Sequence, residues 1–190
     1  MGHSQATKTE SHDRIVKVAA TRFREAGVDG VGVADLMKEA GLTHGGFYRH
    51  FASRDALVAE AIERALNDGG AAVSAIANRK DAALTALIDA YLSVGHRDGL
   101  ATSCAVTTLA GDVSRGSKRA RSAYSRQVAM YLELLTKLVV GGTRKSRRAK
   151  AIVALSALVG AVSMARAVND ETLSREILKS AADELKAALR

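Results

Sequence analysis

The chain has no proline and no tryptophan, a single cysteine, and only three phenylalanines and four tyrosines in 190 residues. Without proline, and with alanine abundant, the composition favours helices packed closely on one another over strands and tight turns. Turn clusters and alternating apolar runs are few as well, so the expected fold class is all-α. The lone Cys104 excludes an internal disulfide framework and fits a reducing compartment. The opening MGHSQATKTESHD lacks the apolar stretch of a signal peptide. The longest apolar segment, ALSALVGAVSMARA, carries serines and ends in Arg166, short of the ~20 residues of a membrane span. A cytoplasmic protein is expected.

What the chain does have is positive charge, +8 overall. Such an excess fits a nucleic-acid partner, but its placement complicates that reading. Through Leu66 the basic and acidic residues cancel at nine each, whereas Arg115 to Lys150 holds eleven basic residues and one acid, Glu133.

Apolar spacing and punctuation divide the chain into about nine helices. The first is expected from about Ser11, as its cap, to Ala26, with Ile15, Val18, Ala19, Phe23 and Ala26 along one stripe and Gly27 as its stop. A second, Val33 to Ala40, repeats Val33, Leu36, Met37 and Ala40 at helical spacing before Gly41, a left-handed stop. Thr43 is a suitable N-cap for a third helix, with Leu42 and Phe47 placed as a hydrophobic staple. Two short helices joined by a glycine turn, after a longer supporting helix, form a helix-turn-helix. A fourth helix starts at Ser53 or Arg54, with Gly69-Gly70 as a possible break. Further helices are expected near 81–95, 102–114, 117–140, 144–168 and 172–189. The division is residues 1–52, ordered from about 11, as an N-terminal domain, and 53–190 as a larger bundle, joined by the fourth helix.

The stretch GLTHGGFYRHF, residues 41–51, carries the chemistry. Glycine disfavours a helix interior by roughly 1 kcal/mol relative to alanine, yet Gly45 and Gly46 open the third helix. Phe47 and Phe51 share its inward face, leaving a surface that is bare at one end and rich in donors at the other. A helix reading the major groove needs both properties. Arg49 can contact guanine in bidentate fashion, and Tyr48 and His50 can reach phosphate oxygens. The alternative is a short surface helix with incidental polar residues.

The stretch from Arg14 to Leu57 resembles the N-terminal domain of TetR-type transcriptional regulators. The matching residues are Phe23, Gly27, Val33, Leu36, Ala40-Gly41-Leu42-Thr43, Gly45, Phe47-Tyr48, His50-Phe51, Ser53-Arg54 and Leu57. The resemblance implies an all-helical homodimer with an N-terminal DNA-reading domain and a C-terminal ligand-binding and dimerising domain. It implies repression at a near-palindromic operator, relieved by a small-molecule effector. By position, Thr43, Tyr48 and His50 fall where family members touch phosphates, and His44, Gly46 and Arg49 where they read bases. Gly45 lies between them on the same surface. Arg54 replaces the usual lysine and is expected to hold a phosphate. The Thr/Ser pair that usually opens the second helix is Val31-Gly32 here, which leaves only backbone N–H groups for a phosphate at that point.

In the bundle, Ile152, Leu155, Leu158, Val159 and Val162 interleave with small residues, and Leu173, Ile177, Ala181, Leu185 and Leu189 follow helical spacing. In the family these last two helices form a four-helix dimer interface; periodicity alone equally allows packing within one chain. Tyr124, Gln127, Val128, Tyr131 and Leu135 share a face that could line an effector pocket or be ordinary core, and Met164 is a further candidate wall. Cys104, with Thr102-Ser103 as plausible caps, is either a buried small hydrophobe or a thiol made reactive at a helix N-terminus. A thiol-based electrophile or oxidant sensor on the same scaffold is therefore an alternative, as is a non-regulatory DNA-coating protein. The run TRKSRRAK, residues 143–150, is expected to be a solvated helix start, with an anionic ligand as the minority alternative. His44 and His50 stand at i, i+6 and do not share a helical face, so no metal site, cofactor or enzymatic constellation is expected.

Overall fold

Gly27 and Gly41 end the first two helices in the left-handed conformation, at φ +73° and +71°, as their positions in the sequence require. They punctuate a computed structural model that describes residues 5–77 and 83–189. Among these, the chain forms α-helices and short 3-10 turns with no strand. The supporting helix α1 spans Gln5–Ala26 and α2 spans Val33–Glu39. The third helix of the motif is a 3-10 turn, His44–Arg49.

The long α3, Arg54–Ala77, packs against α1 and also against α8, Lys118–Leu138. Between them lie α4 (Ala83–Tyr91), α5 (Val94–Asp98), a second 3-10 turn (Leu100–Thr102), α6 (Ala105–Thr108) and α7 (Ala110–Arg115). The chain closes with α9, Arg144–Ala167, and α10, Glu171–Ala188, packed on each other.

Several local expectations change. Helix α1 begins well before residue 11, and Ser11 is a buried interior residue rather than a cap. Gly69-Gly70 does not break α3. A Cβ on Gly70 would stand 2.8 Å from Gln127 Nε2, and one on Gly69 would stand 3.2 Å from the Tyr131 hydroxyl. The pair thus lets α8 side chains approach the α3 backbone. The segments 81–95 and 102–114 are each divided between two short helices, with residues 81 and 82 outside the described range. Cys104 is itself the N-cap of α6, without a side-chain capping bond. The hydroxyl of Ser103 pairs instead with Arg166 and His96.

Candidate nucleic-acid interface and bundle cavity

Thr43 adopts the extended N-cap backbone, but its side chain makes no capping bond. The turn is held from behind instead. Phe47 and Phe51 are buried with ring centroids 5.5 Å apart, and His12 of α1 stacks on Phe51 at 4.5 Å. His12 is fixed in turn by Glu60 of α3 at 2.8 Å. Burying two phenylalanines contributes about 1.5–3 kcal/mol each, which outweighs roughly 1 kcal/mol for each glycine.

The outer face has the predicted composition. Thr43, His44, Gly45, Tyr48 and Arg49 are exposed, Tyr48 at 76%. Gly46 is half-buried, with Met37 Cε and Thr43 Oγ1 at 3.7 Å from a notional Cβ; at Gly45 nothing lies within 4 Å. Neither glycine has a positive φ. The fold therefore tolerates a side chain at both positions, and their bareness leaves the backbone open to an outside surface.

Two positions depart from simple outward display. His50 is half-buried, and its Nδ1 has no hydrogen-bond partner. Burial, followed by the charges of His12, Lys8 and Arg49, lowers its pKa. Arg54 turns one guanidinium nitrogen inward, donating to the Val28 carbonyl at 2.6 Å, while the other lies 3.7 Å from Asp29. It thereby ties the start of α3 to the α1–α2 turn. Local spacing gave no sign of this clamp, or of Asp112 in α7, whose carboxylate accepts from the Val28 N–H at 3.2 Å. At the start of α2, Gly32 is the N-cap without a side-chain bond, and a Cβ there would lie 3.3 Å from the Asp35 carboxylate.

Residues 15–61 match the model of the family described as bacterial regulatory proteins, tetR family. Residues 15–61 form an N-terminal domain of the tetR type. Members of that family are transcription regulators with a helix-turn-helix DNA-binding domain. The TetR fold extends over the whole chain. NemR of E. coli in its reduced form has 20% identity, with 94% of this chain and 96% of that one covered and a TM-score of 0.78. A TetR-family regulator from Cytophaga hutchinsonii has 16% identity, coverage of 100% and 98%, and a TM-score of 0.79. A third, from Chloroflexus aurantiacus, has 21% identity, coverage of 96% and 97%, and a TM-score of 0.78. No curated protein sequence matches significantly.

In the TetR bundle, three of the five pocket candidates gather on one side of α3. Tyr131 and Cys104 are buried, with the thiol 3.9 Å from the phenol oxygen. Gln127, also buried, presses against Gly70 and leaves Nε2 without a partner. Tyr131 lines a small apolar lobe with Val73, Leu87 and Tyr91; Cys104 lines an adjoining cavity of about 110 Å³ that shares those three residues. Tyr124 satisfies its hydroxyl on the Val106 carbonyl at 2.8 Å, and Met164 is 55% exposed on α9. None of Gln127, Tyr124 and Met164 lines these two lobes.

His96 braces the cavity wall. Its Nε2 accepts from the Cys104 N–H at 3.1 Å, so its Nδ1 carries the proton donated to the Tyr91 carbonyl at 2.7 Å. Burial is the main cause of its lowered pKa. Among the described residues no group of three or more His, Cys, Asp or Glu could hold a metal ion.

Proposed function

We propose that this TetR-family protein is a homodimeric repressor that reads a near-palindromic operator through residues 43–49 and leaves it when an effector enters the bundle. The observation that carries the reading is the turn itself: Arg49 and Tyr48 stand exposed beside a glycine pair that the fold does not require. Arg49 is the base reader, with His44 beside it. Thr43, Tyr48 and His50 serve phosphates, and the bare backbone at Gly45 and Gly46 permits close approach. Arg54 acts first as a clamp on the α1–α2 turn and adds positive charge near the backbone.

The partner surface is the outer face of α9. Leu155, Leu158 and Val162 are buried within the chain, whereas Ile152 and Val153 are exposed at 47% and 67%, and Gly160 has open space above it. Helix α9 is long and apolar enough to cross a membrane by length and composition alone. Its buried face and the basic run at its start suit a soluble dimer helix better. A second copy that covers this face sets two reading turns about 34–36 Å apart. An effector favouring a different spacing then shifts the population away from the DNA-bound state. Val28 sits at the centre of that coupling, held by Asp112 from the bundle and by Arg54 from α3.

One observation favours a thiol switch as the second reading. Cys104 lines the cavity of about 110 Å³, so a small electrophile entering the bundle meets its thiol. Release from DNA by an electrophile that survives Cys104→Ser excludes this reading.

The test of the main proposal is selection of bound duplexes from a random pool, followed by footprinting. Enrichment of a near-palindromic sequence is expected; protection without sequence preference indicates a coating protein.

A further inference from the structure

The effector reading leaves the chemistry of the occupant open, and the walls of the cavity constrain it. The two lobes meet at Val73, Leu87 and Tyr91, between α3, α4 and α8. One lobe is also lined by Leu134, Leu155 and Leu158 and holds about 20 Å³, and the other holds about 110 Å³. A comparable apolar cavity of roughly 150 Å³ accommodates benzene.

The polar groups on these walls are already engaged. The Tyr91 hydroxyl is bonded to Thr107 Oγ1 at 2.6 Å. His96 uses both ring nitrogens, and the Thr102 hydroxyl donates to the Gly99 carbonyl. Tyr131 faces the Cys104 thiol. Burial pushes both phenols above the usual tyrosine range, so they stay protonated. Among the described residues, neither lobe has a charged side chain on its wall. An ion placed there would lose its hydration without gaining a partner, at a cost that ordinarily excludes it.

We infer that the cavity between α3, α4 and α8 binds a neutral, apolar molecule about one aromatic ring in size, and rejects the carboxylate of the same shape. The inference deepens the effector reading and rests on it. Gly69 contributes by leaving room where a side chain would meet the Tyr131 hydroxyl. Val73 belongs to both lobes, so a larger residue there closes the site.

The test compares toluene with benzoate on the full chain by thermal unfolding. At a tenfold excess over its dissociation constant, toluene should raise Tm by roughly 3–5 °C, and the rise should saturate. Benzoate should produce no rise, and Val73→Phe should abolish the toluene effect while keeping a cooperative transition. A saturable shift with benzoate, no shift with toluene, or a toluene shift that survives Val73→Phe overturns the assignment. If Val73→Phe does not fold, the toluene and benzoate arms on the unaltered protein decide alone. DNA binding measured at saturating toluene separates the two claims. Unchanged binding despite a raised Tm removes the effector reading for this class and leaves the site; an absent Tm shift removes the site.

Discussion

Two glycine pairs sit in helical segments of this chain, and they answer to different constraints. Gly69-Gly70 lies inside α3, where added carbon atoms would press on Tyr131 and Gln127. Gly45-Gly46 lies in the exposed turn His44–Arg49, where added carbon atoms meet open space or ordinary contacts. Sequence treats the pairs alike, as interruptions of helical pattern. The structure separates a pair needed for internal packing from a pair that packing does not need. A glycine that costs helix stability and serves no internal contact points outward, to whatever the surface touches.

The comparison can be broken most directly through what the outer pair exposes. Arg49→Ala should weaken binding to the selected operator by about 1–3 kcal/mol and leave binding to scrambled DNA nearly unchanged. Equal losses on both, measured by titration at fixed salt, would refute base reading. Arg54→Ala should instead weaken all sequences alike, reduce the salt dependence of binding and lower Tm, because the Val28 carbonyl loses its donor. An effect confined to the operator would reassign it as a base reader. For the inner pair, Gly70→Leu should overpack the contact with Gln127 and Met130 and cost about 1–3 kcal/mol in denaturant unfolding. No loss would show that α8 yields easily at that point.

A smaller effect concerns pH. The folded-state pKa values of His50 and His96 are both lowered, chiefly by burial. The unfolded chain therefore binds protons first as pH falls, so stability is full above about 6.5 and declines as pH drops below it. Tm measured from pH 8 down to 5 should fall, and His96→Gln should flatten the slope. An unchanged slope would place the proton uptake elsewhere.

The fold was largely legible in the sequence because its signals are local. Apolar spacing and the left-handed stops at Gly27 and Gly41 mark the first two helices, and the inward pair Phe47 and Phe51 marks the turn after them. What was not legible depends on partners far apart in the chain. Ser11 has the composition of a cap, but the helix continues through it to Gln5. Gly69-Gly70 has the composition of a break, but α8 packs onto it. Arg54 carries a family expectation of phosphate contact, yet its guanidinium is drawn to Val28, 26 residues away. Asp112 reaches the same residue across 84 positions, a separation that no periodicity reports. Met164 fits a pocket by residue type but is exposed on the outer side of α9.

The central claim is that the reading turn is bare for the sake of DNA rather than of the fold, and Gly45→Ala tests it in a single titration. Affinity for the selected operator is measured beside Tm in the same preparation. The account predicts weakened operator binding in a protein that is as stable as the parent, or more stable by about 0.4–1 kcal/mol. Full operator affinity in that variant would contradict it.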